Sequence, residues 1–197
     1  MKKPDKPVEL PNIRNITVSG RIGTGKTTLA NHLGNVLGWS VLDGGKLFRK
    51  ITEDLGTHIK ETSARPDSFD LAYEENVKKL LREGKNQIVQ SHLAGFDAQG
   101  IEGVFKILVT CRDEKGDDKT DIRIDRLMNR DNIDLEKAKE EIIEREAQNL
   151  EKFRRLYANN DQNWVYWDSK YYDLIVNTYS HNREEALRFV LARLERK

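Results

Sequence analysis

Residues Ile16–Gly34 read ITVSGRIGTGKTTLANHLG. The β-branched opening Ile16-Thr17-Val18 suits a strand. Leu29, Leu33, Val36 and Leu37 recur at the spacing of one helical face, with Gly38 as a stop. Between them, Gly20-Arg21-Ile22-Gly23-Thr24-Gly25-Lys26-Thr27 meets every fixed position of the pattern G-x-x-x-x-G-K-[ST]. Glycines at these spacings let the backbone curl until its N–H groups point inward at phosphate oxygens. A helix beginning near Lys26 adds the positive end of its dipole. Lys26 can reach β- and γ-phosphates as a point charge. The Thr27 hydroxyl is a hard oxygen ligand of the kind Mg²⁺ takes. The candidate ATP-binding residues are therefore Gly20, Arg21, Ile22, Gly23, Thr24, Gly25, Lys26, Thr27 and Thr28, with Thr27 also the candidate metal ligand. The motif points to a bound nucleotide and leaves open whether a phosphoryl group is lost to water or passed to a small molecule.

Strand signals recur at Asn15–Ser19, Ser40–Asp43, Gln87–Ser91, Phe105–Thr110 and Leu174–Thr178. Helical patterns fill the gaps. Leu47, Phe48, Ile51 and Leu55 mark one face; Phe69, Ala72, Tyr73, Val77, Leu80 and Leu81 mark another, closed by Gly84. Near the end, Asn182 and Glu185 have capping-box spacing before Ala186, Leu187, Val190, Leu191 and Leu194. This alternation predicts an α/β domain whose parallel sheet is covered by helices on both faces. One region breaks it. Lys119–Asp131 and Asp134–Ala158 read as two charged helices with no strand between them, and Leu135, Ala138, Ile142, Leu150 and Phe153 give the second a thin apolar stripe. Such a hairpin beside a sheet is either a helical lid or a solvated pair packed on the core.

The 197-residue chain carries 37% hydrophobic and 34% charged residues, with 34 basic against 33 acidic side chains. That balance gives no overall field for nucleic acid or a membrane, so an anion site has to be built locally. The lone Cys111 cannot form an internal disulfide, which suits a reducing, cytoplasmic setting. Residues 1–11 lack an apolar signal segment, and Pro4, Pro7 and Pro11 favour a flexible, extended leader outside the fold. No apolar run approaches membrane-spanning length. Four scattered histidines show no metal-ligand spacing.

Arg123, Arg126 and Arg130 are three and four apart and share one helical face; Arg145 and Lys152 share another. Guanidinium groups on a lid would stabilise charge on a phosphoryl group in transit. Asp121, Asp125, Glu144 and Glu146 stand nearby as alternative partners.

Taken in order, the P-loop, LDGGKLFRK (Leu42–Lys50), SHLAG (Ser91–Gly95), the arginine row, REAQNLEKFRRLY (Arg145–Tyr157) and YYDLIVNT (Tyr171–Thr178) resemble the cytidylate kinase family, particularly its short archaeal-type members. The resemblance runs from about Asn12 to the C-terminus. It implies an α/β, three-layer P-loop NTPase fold with a five-stranded parallel sheet flanked by helices and a helical lid, as a single kinase domain over 12–197 with an acceptor-binding region at about 43–84 and the lid at about 115–160. It also implies Mg²⁺-dependent transfer of the ATP γ-phosphate to a nucleoside monophosphate, CMP or dCMP foremost. The alternatives are another small acceptor (AMP, UMP or a metabolite) or a nucleotide-binding regulator with weakened catalysis. The expected partners are ATP and a small phosphorylated acceptor, bound by a monomer. By the same resemblance Arg49 grips the acceptor phosphate, Asp70 lies in the acceptor region, and Lys26, Arg130 and Arg145 are the catalytic cations. The chain departs from the family pattern at Asp43-Gly44-Gly45-Lys46 and at Gln90-Ser91-His92, where an acidic residue followed by Gly-Arg is usual; Lys152 stands at a position that is often arginine. Asp43, Lys46 and His92 join Arg49 and Asp70 as acceptor-binding candidates. Lys46 would restore the charge missing at His92. Asp43 is alternatively a turn residue, and His92 a polar loop residue.

Overall fold

A computed structural model of the protein describes residues 4–46 and 66–195. In chain order its elements are β1 (Asn15–Gly20), α1 (Lys26–Leu37), β2 (Ser40–Asp43), α2 (Asp67–Glu83), β3 (Gln87–Gln90), α3 (Ala94–Asp97), β4 (Val104–Thr110), α4 (Thr120–Asp131), α5 (Leu135–Lys139), a π-helical turn (Glu140–Glu144), α6 (Arg145–Tyr157), β5 (Leu174–Asn177) and α7 (Arg183–Leu194). The strands form one sheet ordered β2-β3-β1-β4-β5, and every pairing is parallel. The expected helix marked by Leu47, Phe48, Ile51 and Leu55, together with Arg49, lies outside the described residues.

β1 is buried along its whole length, so both of its faces are covered. Ile16 and Val18 join Ile88, Phe105, Ile107, Val109 and Val176 in one cluster with Leu29 and Leu33 of α1 and Val190 of α7. Each such side chain withdrawn from water contributes about 1.5–3 kcal/mol. A second cluster joins Tyr73, Val77 and Leu81 of α2 to Val89, Ala94 and Ala98. Between the strands' apolar positions stand buried polar ones, two of which tie the sheet to its surroundings. Asn15 donates to the carbonyls of Leu81 and Gly84 at 2.9 Å each and accepts from the Gln87 N–H at 3.0 Å. Ser19 Oγ accepts from the Gly95 N–H at 2.9 Å. The register pairs Val18 with Gln90 and Gln90 with Asp43. The loops after β1, β2 and β3 therefore open on one edge, the carboxyl edge where such sheets bind ligands.

Two expectations are corrected. The leader does not stand outside the fold. From residue 4 onward it runs past the end of α1, where the Val8 N–H donates to Leu37 O at 2.8 Å and Trp39 Nε1 donates to Val8 O at 2.9 Å. A helix-terminal carbonyl and a buried indole N–H both need partners, and the leader supplies them. Asp134–Ala158 is not one continuous α-helix but α5, the π turn and α6. Ala138 and Ile142 pack with Ile22, Ile124 and Leu127, whereas Phe153 packs with Leu93, Trp164 and Tyr166. The π turn falls around and just after the residues that serve the first cluster and before those that serve the second. Among the described residues, no helix is long and apolar enough to cross a membrane.

Candidate active site

The P-loop leaves β1 and enters α1 through residues whose backbone only glycine adopts easily. Gly23 has φ 76°, and a Cβ there would lie 2.6 Å from the Arg123 carbonyl oxygen. The loop thus turns tightly against α4. Thr24 closes it from within, its hydroxyl donating to Arg21 O at 2.9 Å. Lys26 Nζ lies 3.2 Å from the same carbonyl. Withdrawal of this ammonium from bulk water pushes its pKa down to about 7, against the pull of Glu146.

Two cavities flank the loop. One, of about 420 Å³, is lined by Ile22, Lys26 and Thr27, by Asp43 to Lys46, by Asp70 and Glu74 of α2, by Gln90 to Leu93, and by Arg130, Arg145 and Asn149. The other, of about 480 Å³, is lined by Gly23, Gly25 to Leu29, Arg126, Arg130, Thr178 and His181 to Arg183. Lys26, Thr27 and Arg130 line both.

Sequence-predicted residues thus converge. Asp43, Lys46, Asp70, His92, Arg130 and Arg145 all line the first cavity. Gly23, Gly25, Lys26, Thr27 and Thr28 line the second. Gly20, Arg21 and Thr24 line neither. They shape the loop: a Cβ on Gly20 would lie 2.5 Å from Val109 O, and Arg21 pairs with Glu146 and, at 3.2 Å, with Asp118. Several side chains already have protein partners. Asp70 Oδ2 is 2.7 Å from Lys152 Nζ, both side chains being buried. Arg130 donates to the neighbouring Asp131 at 2.7 Å, and Arg145 pairs with Glu141. The Arg145 Nε–H is buried without a hydrogen-bond partner among the described residues. Asp43 Oδ1 accepts from the Lys46 N–H at 3.0 Å, so it is both a turn residue and a cavity residue.

The arginine row divides by task. Arg123 is fully buried and joins α4 to the P-loop. Arg126 donates to the Thr178 hydroxyl and carbonyl at 2.8 Å each, walling the second cavity. Arg130 reaches the junction. His92 is more than a polar loop residue. Its Nδ1 lies 3.2 Å from Gly20 O and 3.2 Å from the Tyr166 hydroxyl. The Gly20 carbonyl can only accept, so Nδ1 carries the proton. Desolvation, then the Lys26 and Arg145 charges, hold its pKa well below the usual histidine value, which keeps the imidazole neutral. Trp164 belongs to the core cluster around Tyr166, which Trp167 packs against, and Phe69 and Tyr73 line a separate apolar groove. None of these aromatics lines either cavity.

Sequence reasoning missed the wall formed by Thr178 and His181 to Arg183, although the Asn182–Glu185 capping box, present as expected, marked the helix start that forms it. It also missed Glu74 and Asn149, which read as ordinary charged or polar positions on helices, whereas Glu146, expected as an alternative partner of the arginines, does pair with Arg123 at 2.7 Å.

A P-loop between a strand and a helix, a five-stranded parallel sheet and a helical pair beside a double cavity define a P-loop kinase. Solved structures share the fold. A gluconokinase from Sinorhizobium meliloti superposes with a TM-score of 0.57 at 14% identity, covering 95% of this chain and 94% of that one. Shikimate kinase from Acinetobacter baumannii gives 0.53 at 17%, covering 94% and 95%. A family model described as an AAA domain matches residues 16–151. Cytidylate kinase from Methanocella arvoryzae is 32% identical over 168 residues, 83% of this chain and 86% of that protein. Cytidylate kinase from Ignicoccus hospitalis is 31% identical over 166 residues, 83% and 88% of the two chains. The chain belongs to the cytidylate kinase family.

Proposed function

We propose that the protein transfers the γ-phosphoryl group of ATP to a nucleoside monophosphate, with CMP or dCMP as the acceptor. The observation that carries this reading is the pair of cavities meeting at Lys26, Thr27 and Arg130. A donor in the cavity beside Arg126 and an acceptor in the cavity beside Asp70 and His92 would bring their phosphates together at those side chains. The names of the cytidylate kinases to which the chain is similar support the acceptor's identity.

An acceptor phosphate oxygen is already anionic, so it attacks the γ-phosphorus without a strong general base while the bond to the β-phosphate oxygen breaks. Catalysis is then mostly positioning and charge stabilisation. Lys26 and the P-loop amides hold the donor phosphates. Arg130 and Arg145, which line the first cavity, would stabilise the charge of the transferring group. Lys46 and Arg49 serve the acceptor phosphate; neutral His92 adds a hydrogen-bonding wall rather than charge. The site also fits Mg²⁺. Thr27 and Asp43 put a hydroxyl and a carboxylate on one cavity, a sparse set of hard oxygens of the kind this ion takes while keeping waters and phosphate ligands. Among the described residues no cluster of three metal-ligating side chains competes. Thr27, with Asp43 beside it, would hold the ion, which supplies charge neutralisation on the phosphates when bound.

The test is ADP formation from ATP against a panel of monophosphates. Acceptor-dependent turnover greatest with CMP or dCMP, and its loss in Lys26→Met, supports the reading. Turnover with AMP, UMP or another metabolite reassigns the acceptor. Tight ATP binding with no acceptor-dependent turnover makes the protein a nucleotide-binding regulator.

A further inference from the structure

Glu146, the second residue of α6, is 4% exposed and lines neither cavity. Its carboxylate nevertheless holds three donors. One oxygen accepts from Arg21 Nε at 2.6 Å; the other accepts from the Ile22 N–H at 3.1 Å and from Arg123 Nη2 at 2.7 Å. Arg123 in turn donates Nε to Ile22 O at 2.8 Å and Nη1 to Asp118 at 2.7 Å. Both backbone polar groups of Ile22 are thus taken by the helical pair, the N–H by Glu146 and the C=O by Arg123. Gly23, the next residue, sits directly on the Arg123 backbone. Arg21 is fixed from its other side by Trp167, whose ring centroid is 4.7 Å from the guanidinium carbon.

We propose that Glu146 is a positioning residue: by gripping Arg21, Ile22 and Arg123 together it fixes the first half of the P-loop and sets the adjacent Arg145 at the cleft. The proposal rests on the kinase reading above. The chain's own geometry supplies the reason for such a clamp. The loop residues lining the second cavity are Gly23 and Gly25 to Thr28; Arg21, which lines neither cavity, and the backbone of Ile22, whose residue lines the first, are held from the lid side. The π turn Glu140–Glu144 ends where α6 begins, and the first two residues of α6 point to different partners, as successive helical residues do: Arg145 lines the cavity and Glu146 meets the loop. A buried carboxylate binding two guanidiniums and a backbone N–H is fully engaged, so its loss leaves Arg21 and Arg123 with Asp118 as their shared carboxylate and the Ile22 N–H without its acceptor, rather than a simple gap.

Glu146→Gln is the test. The amide keeps the volume and can still accept from the Ile22 N–H, but it cannot balance two guanidiniums. We expect ATP affinity, read by titration calorimetry, to stay within about threefold of wild type, while kcat falls roughly 10²-fold, the scale of a misplacement near 1 Å. Trp167 emission should change as Arg21 loosens above the ring, and the change should vanish when Trp167→Phe is added. Adding Arg21→Met to Glu146→Gln should cost little more, because both act through one clamp. If Glu146→Gln does not fold, Arg21→Gln alone should lower kcat about tenfold at unchanged ATP affinity. Wild-type kcat in a folded variant, or ATP affinity falling as far as kcat, overturns the proposal. Wild-type protein that turns over no acceptor refutes the kinase reading instead; an unchanged Trp167 signal in Glu146→Gln then overturns the clamp on its own.

Discussion

Replacing Lys152 by methionine should expose how firmly the helical pair is tied to the acceptor side. Lys152 Nζ lies 2.7 Å from Asp70 Oδ2 and 3.7 Å from Asp67 Oδ1, joining α6 to α2. The Lys152 and Asp70 side chains are only 6% and 2% exposed, so solvent screens them little. Removing one partner of such a pair typically costs about 3–5 kcal/mol, because the other charge stays buried. Removing both leaves no uncompensated charge, so Lys152→Met with Asp70→Asn should lose well under the sum of the single changes. A coupling of about 2–3 kcal/mol is expected, roughly 30- to 150-fold in an equilibrium constant. The neighbouring Arg155–Asp67 pair, with side chains 51% and 38% exposed, should show at most about 1 kcal/mol in the same cycle. Urea unfolding of the four proteins measures the coupling. Acceptor KM measures how much of it is felt at the cavity that both helices line. Strict additivity, with KM unchanged, would refute the inference that this ion pair holds α6 to α2.

Asp97→Asn should stabilise the protein increasingly as pH rises. Burial, then contact with each other, raises the carboxyl of Glu74 well above its ordinary 4.5, and burial raises that of Asp97 above 3.8. The folded state therefore binds more protons than the unfolded chain above those values. The stability this proton provides is present below about pH 4 and is lost as pH rises through the folded values. Melting temperatures of variant and wild type should converge at pH 4 and diverge by pH 8; a constant difference would contradict the assignment. Gly23→Ala combines a φ of 76° with a Cβ 2.6 Å from the Arg123 carbonyl, and should cost about 1–3 kcal/mol in stability and abolish tight ATP binding, read by denaturation and calorimetry.

The fold was legible because its signals are local. β-branched runs, glycine stops and the Asn182–Glu185 box each report on neighbours within a few residues, and the five strands lie where those signals put them. The P-loop was legible for a further reason: its backbone needs glycine at fixed places, and that need is written in the sequence. The division of labour among the arginines was not. Arg123, Arg126 and Arg130 have equivalent spacing, yet their roles depend on Glu146, Thr178 and the cavities, partners as far as 52 residues away in sequence. The same holds for Asp70, whose partner Lys152 lies on another helix, and for His92, whose burial against Gly20 and Tyr166 no spacing announces. The leader misread as detached shows the converse: prolines argue for extension, and an extended segment can still supply a carbonyl that Trp39 requires.

The three side chains common to both cavities have a consequence for ligand design. On the proposed reading, two nucleosides tethered through a polyphosphate bridge of matching length would occupy both chambers at once. The second half would then bind at the effective concentration set by the tether, of order millimolar, so one compound could outcompete either natural ligand by orders of magnitude without a new contact. Compounds with bridges one phosphate shorter or longer would act as a ruler for the span across Lys26, Thr27 and Arg130.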